Sequence, residues 1–274
     1  MNRLLAAAVL IGVPCLLWSA EEKPTNVVKL FNGKDLTNFY TYLVAPKSGG
    51  KPYGKNNDPE QVFTVHDGMI HVSGKVWGCF TTEKEYENYH LIVEFKWGEK
   101  TWFDREKAAR DSGILLHCTG EDGGFGPWME SYECQMIEGG TGDFLVLSGK
   151  NTPRSLTVEA EKRPTGAGEK KHDELYFQPG APPVAMTKGR FNWKDRDPEW
   201  KDAKGFRGAK DVERPVGEWN TLECICDGDK IVNILNGTVV NQATKASQTK
   251  GKILFQSEGA EVFFRRIDLK PLAK

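Results

Sequence analysis

Two short runs between residues 111 and 143 alternate polar side chains that could do acid–base chemistry with apolar ones. Successive side chains of a β-strand point to opposite faces of its sheet. Glu133 and Gln135 therefore share one face, opposite Tyr132, Cys134 and Met136. A carboxylate in this position can accept or donate a proton, and the neighbouring amide can form hydrogen bonds to a substrate. The same alternation also fits a sheet face that only contacts water. The sequence therefore leaves two interpretations, a binding cleft and a solvated face.

His117 lies on the first of these two runs. Strict alternation places it with Leu115 on one face, opposite Ile114, Leu116 and Cys118. An imidazole on that face could accept a proton in a reaction. A single histidine on a strand can equally donate a hydrogen bond to a neighbouring carbonyl, in a structural role.

Short alternating runs separated by turn residues dominate the rest of the chain. The chain has 274 residues, 39% of them hydrophobic, with 29 Gly and 14 Pro. Asp67-Gly68 and Asn236-Gly237 are hairpin dipeptides, because Asn, Asp and Gly tolerate the positive φ that a type I′ turn requires. The sequence therefore predicts an all-β fold, a two-sheet antiparallel β-sandwich with at most short helices.

Two segments interrupt this pattern and are interpreted as loop insertions, at 97–111 and 148–217 of a single domain spanning 27–272. The first should contain a helical turn. The second is rich in charge, Pro and Gly but also carries several aromatic residues, which disordered segments usually lack. We predict that its aromatic side chains form an ordered lid over or beside the face of Glu133 and Gln135, or else cover another sheet face.

The first twenty residues differ in composition from the rest. Arg3 precedes an almost wholly apolar stretch from residue 4 to 17, and polar residues begin at 21. This pattern is typical of a secretory signal peptide at 1–20, cleaved near Ala20, although the stretch could also remain as an uncleaved anchor. We expect an exported protein, periplasmic or extracellular, without stable membrane insertion after cleavage.

The net charge limits the possible binding partners, and the cysteine count limits the possible disulfides. The formal net charge is -1, which favours neither nucleic acid nor an anionic membrane surface. Removal of the first twenty residues leaves an odd number of cysteines, so at least one thiol stays unpaired within the chain. Buried small hydrophobic residues are the preferred interpretation of most of them, and these cysteines are Cys79, Cys118, Cys134, Cys224 and Cys226.

Metal binding has only weak support in the sequence. Glu121, Asp122 and Glu138 lie in Gly-rich segments and offer oxygen ligands that suit a structural calcium ion. Their spacing matches no recognised calcium loop, and the histidines form no local zinc motif. No metal-binding residue is assigned, and a structural calcium ion remains an alternative.

Seven stretches resemble, in this order, the 3-keto-disaccharide hydrolase domain family. The similarity covers most of 27–272 outside the two insertions. The stretches are LFNGKDLTNFY, VHDGMIHVSG, EYENYHLIVEFKW, DSGILLH, YECQMIE, GEWNTLECICDGDKIVNILNGTVV and GKILFQSEGAEVFFRRIDLKPL.

The resemblance implies a concanavalin-like jelly roll in an exported bacterial protein, with a carbohydrate site on the concave face of one sheet. It also implies cleavage of glycosides, including disaccharides, that are already oxidised to a ketone at sugar C3. The chain differs from the family at three positions, where Asp111 replaces Asn, His117 replaces a common Arg, and Arg266 replaces a common Asn.

A 3-keto group acidifies the hydrogen on C2, so such an enzyme needs a base, an acid and a group that stabilises an enolate. Glu133, His117 or Glu94 could be the base, although Glu94 and Lys96 could instead form a solvated pair. Arg265 alternates with Arg266, and either could be the arginine of the pocket. The substrate-binding candidates are Gln135, Arg265, Lys96, Gln256, Glu258, Trp77, Trp128 and Trp193.

Two other functions compete with this prediction. A non-catalytic carbohydrate-binding module or lectin needs only stacking and hydrogen-bonding side chains in the same cleft. An ordinary glycosidase would need a second carboxylate opposite Glu133. An acid and a base that lie together in the cleft would favour an enzyme over a binding module. Such an enzyme would cleave 3-keto-glycosides either by hydrolysis or by elimination of the glycosidic oxygen followed by hydration.

Overall fold

The computed structural model describes residues 27–46, 49–149, 153–165 and 172–273. Nearly all of the regular structure in these ranges is β, with one 3-10 helix at Phe103–Glu106. The strands are β1 Val28–Lys29, β2 Phe39–Leu43, β3 Gly54–Lys55, β4 Phe63–His66, β5 Met69–Val72, β6 Gly78–Thr82, β7 Tyr89–Thr101, β8 Asp111–Thr119, β9 Glu130–Ile137, β10 Phe144–Leu147, β11 Leu156–Thr165, β12 His172–Phe177, β13 Pro183–Met186, β14 Gly189–Phe191, β15 Asn220–Asp227, β16 Lys230–Leu235, β17 Thr238–Ala243, β18 Lys252–Ser257 and β19 Ala260–Pro271.

Two large antiparallel sheets form the sandwich. The first sheet has the order β17-β16-β15-β7-β19-β5-β4, with β1 also paired to β19. The second sheet has the order β14-β10-β9-β8-β18-β6-β2-β3. Every strand pairing within these two sheets is antiparallel. The predicted all-β jelly-roll fold is confirmed.

The core lies between the two sheets because alternate side chains of each strand point inward. On β7 the inward set includes Val93 and Phe95, and on β9 it includes Tyr132 and Met136. Burial of these apolar side chains is the main stabilising contribution of the sandwich. The outward set of β9 is left on the face of the second sheet that points away from the core, which we call the cleft face.

The predicted hairpin turns have the backbone that their residues favour. Asp67 and Gly68 adopt φ of 51° and 72° between β4 and β5, and Asn236 and Gly237 adopt 48° and 81° between β16 and β17. Positive φ at both central positions is the signature of a type I′ turn, whose twist matches that of the flanking strands.

The segment 148–217 forms structure of its own beside the sandwich. It contributes a three-stranded sheet in the order β12-β11-β13, and it adds β14 to the edge of the second sheet beside β10. The prediction that its aromatic side chains cover the cleft face is wrong for Phe177, Phe191 and Trp193, which are buried in the core. For Phe191 the reason is that β14 extends the second sheet and alternates like its neighbours, so this apolar residue joins the core.

The segment 97–111 is also more regular than a loop. Its first residues extend β7, because Trp97 and Thr101 pair with β19, and Asp111 already begins β8. Only the central part leaves the sheet, as the predicted helical turn at Phe103–Glu106.

All five cysteines within the described ranges are free and buried. In the same ranges, no helix has the length and apolar character needed to cross a membrane. The predicted signal peptide at 1–20 lies outside the described residues.

Candidate active site

A cavity of about 460 Å³ opens on the cleft face. Its wall is charged and polar on one side and apolar on the other. Its lining includes Asp111, Phe125, Trp128, Glu133, Gln135, Leu145, Leu147, Lys188, Arg190, Gln256 and Glu258.

Strand β9 places Glu133 and Gln135 at this cavity. Glu133 pairs across the sheet with Leu115 of β8 and Leu145 of β10, and Gln135 pairs with Gly113 of β8. The alternate residues of β9 are in the core, so the two polar side chains can only point to the cleft face. Both are buried, with 3% of their surface exposed.

Gly113 leaves the space that the polar side chains occupy. A Cβ atom at this position would lie 2.3 Å from Oε1 of Glu133 and 2.4 Å from Oε1 of Gln256. The Gln256 side chain also lowers the pKa of Glu133. A side chain on residue 113 would therefore displace both groups, which makes glycine a steric requirement of this arrangement.

Asp111 is the second buried carboxylate of the site. It accepts hydrogen bonds from Nε2 of Gln135 and from the guanidinium of Arg105. Burial raises the pKa of Asp111 to about 7, and the positive charges of Arg105 and Arg190 oppose this rise. Asp111 thus fixes the amide of Gln135 and anchors an arginine.

Glu133 and Glu258 hold their protons more strongly than ordinary carboxyl groups. Burial, reinforced by the nearby charge of Asp111, raises the pKa of Glu133 to about 8. Burial also raises the pKa of Glu258 well above its usual range, and Asp111 and Glu133 add to the shift. Carboxyl groups that share a poorly solvated site cannot all ionise together, so protonated and ionised forms coexist near neutral pH.

Two arginines from the insertions lie beside these carboxyls: Arg190 lines the cavity, and Arg105 contacts Asp111 behind it. Arg105, on the 3-10 helix, donates to the carbonyl of Ala109 at 3.2 Å, and its Nη2 lies 4.0 Å from Oε1 of Glu258. Arg190 of β14 donates to Oδ2 of Asp143 at 3.0 Å and remains about a third exposed. Both lower the pKa of site carboxyls by their charge.

Four other predicted residues lie at or beside the cavity. Gln256 and Glu258 line it from the β18 side, and Trp128 lines its apolar side. Trp77 stacks behind Trp128, with ring centroids 5.7 Å apart. Trp193, by contrast, is buried in the core, where its Nε1 donates to the carbonyl of Gly139 at 3.2 Å.

Glu94, Lys96 and Arg265 lie elsewhere, on the outer face of the first sheet. Glu94 accepts from Nε of Arg265 at 2.5 Å and from Nη1 of Arg266 at 3.4 Å. Lys96 packs over the ring of Trp219. The pairing of β19 with β7 shifts between Phe264 and Arg266, so the expected separation of the two arginines does not hold: this bulge lets both reach Glu94.

His117 also lies away from the cavity. The β8–β9 register shifts between Leu116 and Thr119, and His117 adopts φ of 52° at this bulge. The ring therefore points into the core, against Tyr89 at 5.6 Å between centroids, and Nδ1 donates to the carbonyl of Gln248 at 3.0 Å. The expectation that His117 shares a face with Leu115 is wrong, because an extra residue in a strand reverses the alternation beyond it.

Replacing His117 by Asn should weaken the acid sensitivity of the fold. Burial, together with nearby Arg154, lowers the pKa of His117 from 6.5 to about 4. The unfolded chain therefore binds this proton first, so folding stability is lost as pH falls from 6.5 towards 4. At about pH 5 the effect is about 2 kcal/mol, or roughly 4–8 °C in Tm.

Thermal melts of wild type and His117→Asn at about pH 5 and about pH 7.5 measure the effect. The carboxyls of the cavity titrate identically in both proteins, so the difference between the two pH responses isolates the imidazole. Asn suits this position because it tolerates positive φ. Equal pH responses would contradict a neutral, buried His117.

The candidate calcium ligands do not meet. Asp122 accepts from the hydroxyl of Tyr40 at 2.8 Å. Glu138 instead forms a buried pair with Nη1 of Arg110 at 2.7 Å. Nowhere in the described part of the chain do three His, Cys, Asp or Glu side chains converge as a metal site would need.

The sequence did not identify Asp111 and Arg190, which line the cavity, or Arg105, which contacts Asp111. Asp111 had a usable signal, since it alternates in phase with Gly113 at the start of a predicted strand. The two arginines lie in the insertions, where no periodicity indicates which side chains face the cleft.

One family matches almost the whole chain. It is described as the 3-keto-alpha-glucoside-1,2-lyase-like domain, and it matches residues 26–270. No curated protein matches the chain.

Several solved structures are similar to the chain. A proposed glycosyl hydrolase from Parabacteroides distasonis ATCC 8503 is 18% identical, with a TM-score of 0.50 over 90% of this chain and 94% of that chain. Another from the same organism is 21% identical, with a TM-score of 0.49 over 90% and 99%. At these identities the similarity concerns the fold alone.

Proposed function

The chain belongs to the 3-keto-alpha-glucoside-1,2-lyase-like domain family, and from this premise we propose that it cleaves 3-keto-glycosides at the cleft face. It is a carbohydrate-active jelly-roll protein. The observation that supports the finer assignment is the meeting of Asp111, Glu133 and Glu258 in one cavity, each with a raised pKa.

The proposed reaction begins at C2 of the oxidised sugar. Glu133 removes the C2 proton, and the electron pair of that bond moves onto the C3 keto oxygen as an enolate. The pair then returns to form a C1=C2 double bond while the C1–O bond breaks. The departing oxygen takes a proton from Glu258. Addition of water, with hydroxyl to C1 and a proton to C2, completes net hydrolysis.

The environment of each group fits its role. A raised pKa makes Glu133 a stronger base once ionised, and it keeps Glu258 protonated as an acid. Arg190 brings a positive charge that acts on both Asp111 and Glu133, and in this proposal it also neutralises the enolate. Asp111 fixes Gln135, which leaves that amide oriented towards a substrate.

The convergence of titrating groups favours an enzyme over a binding module. A lectin site needs stacking surfaces and hydrogen bonds, whereas burying several carboxyls beside one another destabilises the fold. Such a cluster is better explained by proton transfer than by sugar binding.

The direct test compares a disaccharide with its 3-keto derivative, each incubated with the purified protein. We expect monosaccharide release only from the oxidised substrate. Deuterium at C2 should slow the reaction, because that C–H bond breaks before the glycosidic bond. Equal release from the unoxidised disaccharide would point instead to an ordinary two-carboxylate glycosidase.

The pH dependence of kcat/KM should be bell-shaped. The rate should rise through neutral pH until Glu133 is ionised, since its pKa is about 8. It should fall again when Glu258 loses its proton, and both limbs belong to the coupled carboxyls rather than to single residues. Rates from about pH 5 to about pH 10 test this, and a flat profile below about pH 8 would contradict the assignment of the base.

We also propose that the protein is exported. The support is the apolar stretch at residues 4–17 and the polar residues that follow. Amino-terminal sequencing of the protein recovered outside the cytoplasm should begin near residue 21.

A further inference from the structure

The cleft face is divided into two halves of different character. The carboxyls and amides occupy one half, where Asp111, Gln135 and Glu258 meet. The other half is a second apolar cluster, separate from the main core, that includes Leu115, Leu147 and Leu254 with Trp128 and others packed against it. The cavity lies across the boundary between these halves.

The apolar half of the cavity wall includes Phe125, Trp128, Leu145 and Leu147. Leu145 pairs directly with Glu133, and Leu147 follows two residues along the same strand. The apolar surface therefore begins beside the proposed base. A substrate that extends from Glu133 along β10 towards Leu147 therefore lies over this surface.

The N–H donors of Phe125 and Trp128 are already used, and Lys188 is the charged residue that lines the cavity beside this wall. Nε1 of Trp128 donates to the carbonyl of Gly78 at 3.2 Å. The backbones of Phe125 and Trp128 bond to each other in both directions, at 2.8 and 3.2 Å. A sugar placed here would bury hydroxyl groups against leucines and committed donors, and an unsatisfied buried hydroxyl is costly.

We propose that the group leaving from C1 is a flat apolar aglycone, such as an aryl or arylalkyl alcohol, bound between Phe125, Trp128 and the two leucines. The oxidised sugar then lies over the carboxyls. This inference rests on the proposed function and names the substrate class of that site. It departs from a disaccharide, whose second sugar would need hydrogen bonds on both sides of the scissile bond.

The test compares methyl and 2-phenylethyl leaving groups, whose alcohols have similar acidity, so that binding decides the outcome of that comparison. The probes are methyl and 2-phenylethyl 3-ketoglucosides and a 3-keto-disaccharide of the same anomeric configuration. Wild-type kcat/KM should be about 10- to 100-fold higher for the phenylethyl compound than for the methyl compound, from the apolar area buried. It should also exceed the value for the disaccharide.

Variants locate the preference on the protein. Phe125→Asn and Leu147→Asn should each reduce the phenylethyl-to-methyl ratio towards one. Val239→Asn, at an exposed position of β17, is the matched control and should keep the wild-type ratio. Equal kcat/KM for the three substrates, or a higher value for the disaccharide, overturns the inference.

Failure of the proposed function gives a different result. If none of the three oxidised substrates is cleaved, the chemistry is wrong, but the binding surface can still be measured. Calorimetry with unoxidised methyl and 2-phenylethyl glucosides should then show about 10-fold or greater preference for the phenylethyl compound. Equal affinities would overturn the aglycone site independently of catalysis.

Discussion

Replacing Glu133 by Gln is expected to lower kcat on a 3-keto-glycoside at least ~100-fold, because it removes the general base that accepts the proton. The protein should stay folded, because Gln has nearly the same side-chain volume as Glu. The same change should stabilise the fold at alkaline pH. The unfolded chain releases this proton near pH 4.5, whereas the folded state holds it to about pH 8. Wild-type stability is therefore lost as pH rises through this window, and Gln cannot titrate.

Steady-state kinetics and thermal melts at about pH 5 and about pH 8.5 measure both effects. Glu94→Gln is the matched control, since Glu94 lies on the outer face of the first sheet beside Arg265. It should retain near-wild-type turnover. If Glu133→Gln keeps its turnover and Glu94→Gln loses it, the base is on the other sheet and the proposed site is wrong.

Gly113→Ala should lower kcat about 100-fold, although residue 113 itself takes no part in proton transfer, because small displacements of reacting groups have effects of this size. The added Cβ would meet the ends of the Glu133 and Gln256 side chains, at 2.3 and 2.4 Å. Both ends can rotate away, so the strand should survive while the carboxylate loses its position. Stability should change little compared with activity.

Gly208→Ala provides a comparison at a glycine away from the cavity, where the new Cβ would lie 2.9 Å from Cβ of Asp197. We expect it to keep near-wild-type kcat. Circular dichroism and melting curves establish that both variants are folded. A fully active Gly113→Ala protein would show that Glu133 does not need its present position.

The sequence predicted those parts of the site that lie on regular strands. Glu133 and Gln135 could be assigned to the face opposite Tyr132 because β9 is regularly paired with β10 and β8 over these residues. Gln256 and Glu258 could be predicted from the same alternation, because Gln256 lies on β18 and Glu258 directly follows that strand.

Residues near bulges could not be predicted in this way. His117 and Arg265 both lie where the pairing register shifts, and a shift of one residue moves a side chain to the opposite face. Such shifts depend on tertiary pairing and have no local sequence signal. The arginines of the insertions depend on the same tertiary contacts, so neither Arg105 nor Arg190 could be identified beforehand.

Arg105 joins parts of the chain that are far apart in sequence. It donates to Asp202 at 3.2 Å, and Asp202 also accepts from the backbone nitrogen of Ala109 at 3.0 Å. Arg105 in turn holds Asp111 at the cavity. Hydrogen bonds therefore join the segments 97–111 and 148–217 beside the cavity. A chimaera that receives only one of the two segments would lack either Arg105 or its partner Asp202. We therefore expect that both segments must be transferred together to reproduce the candidate site.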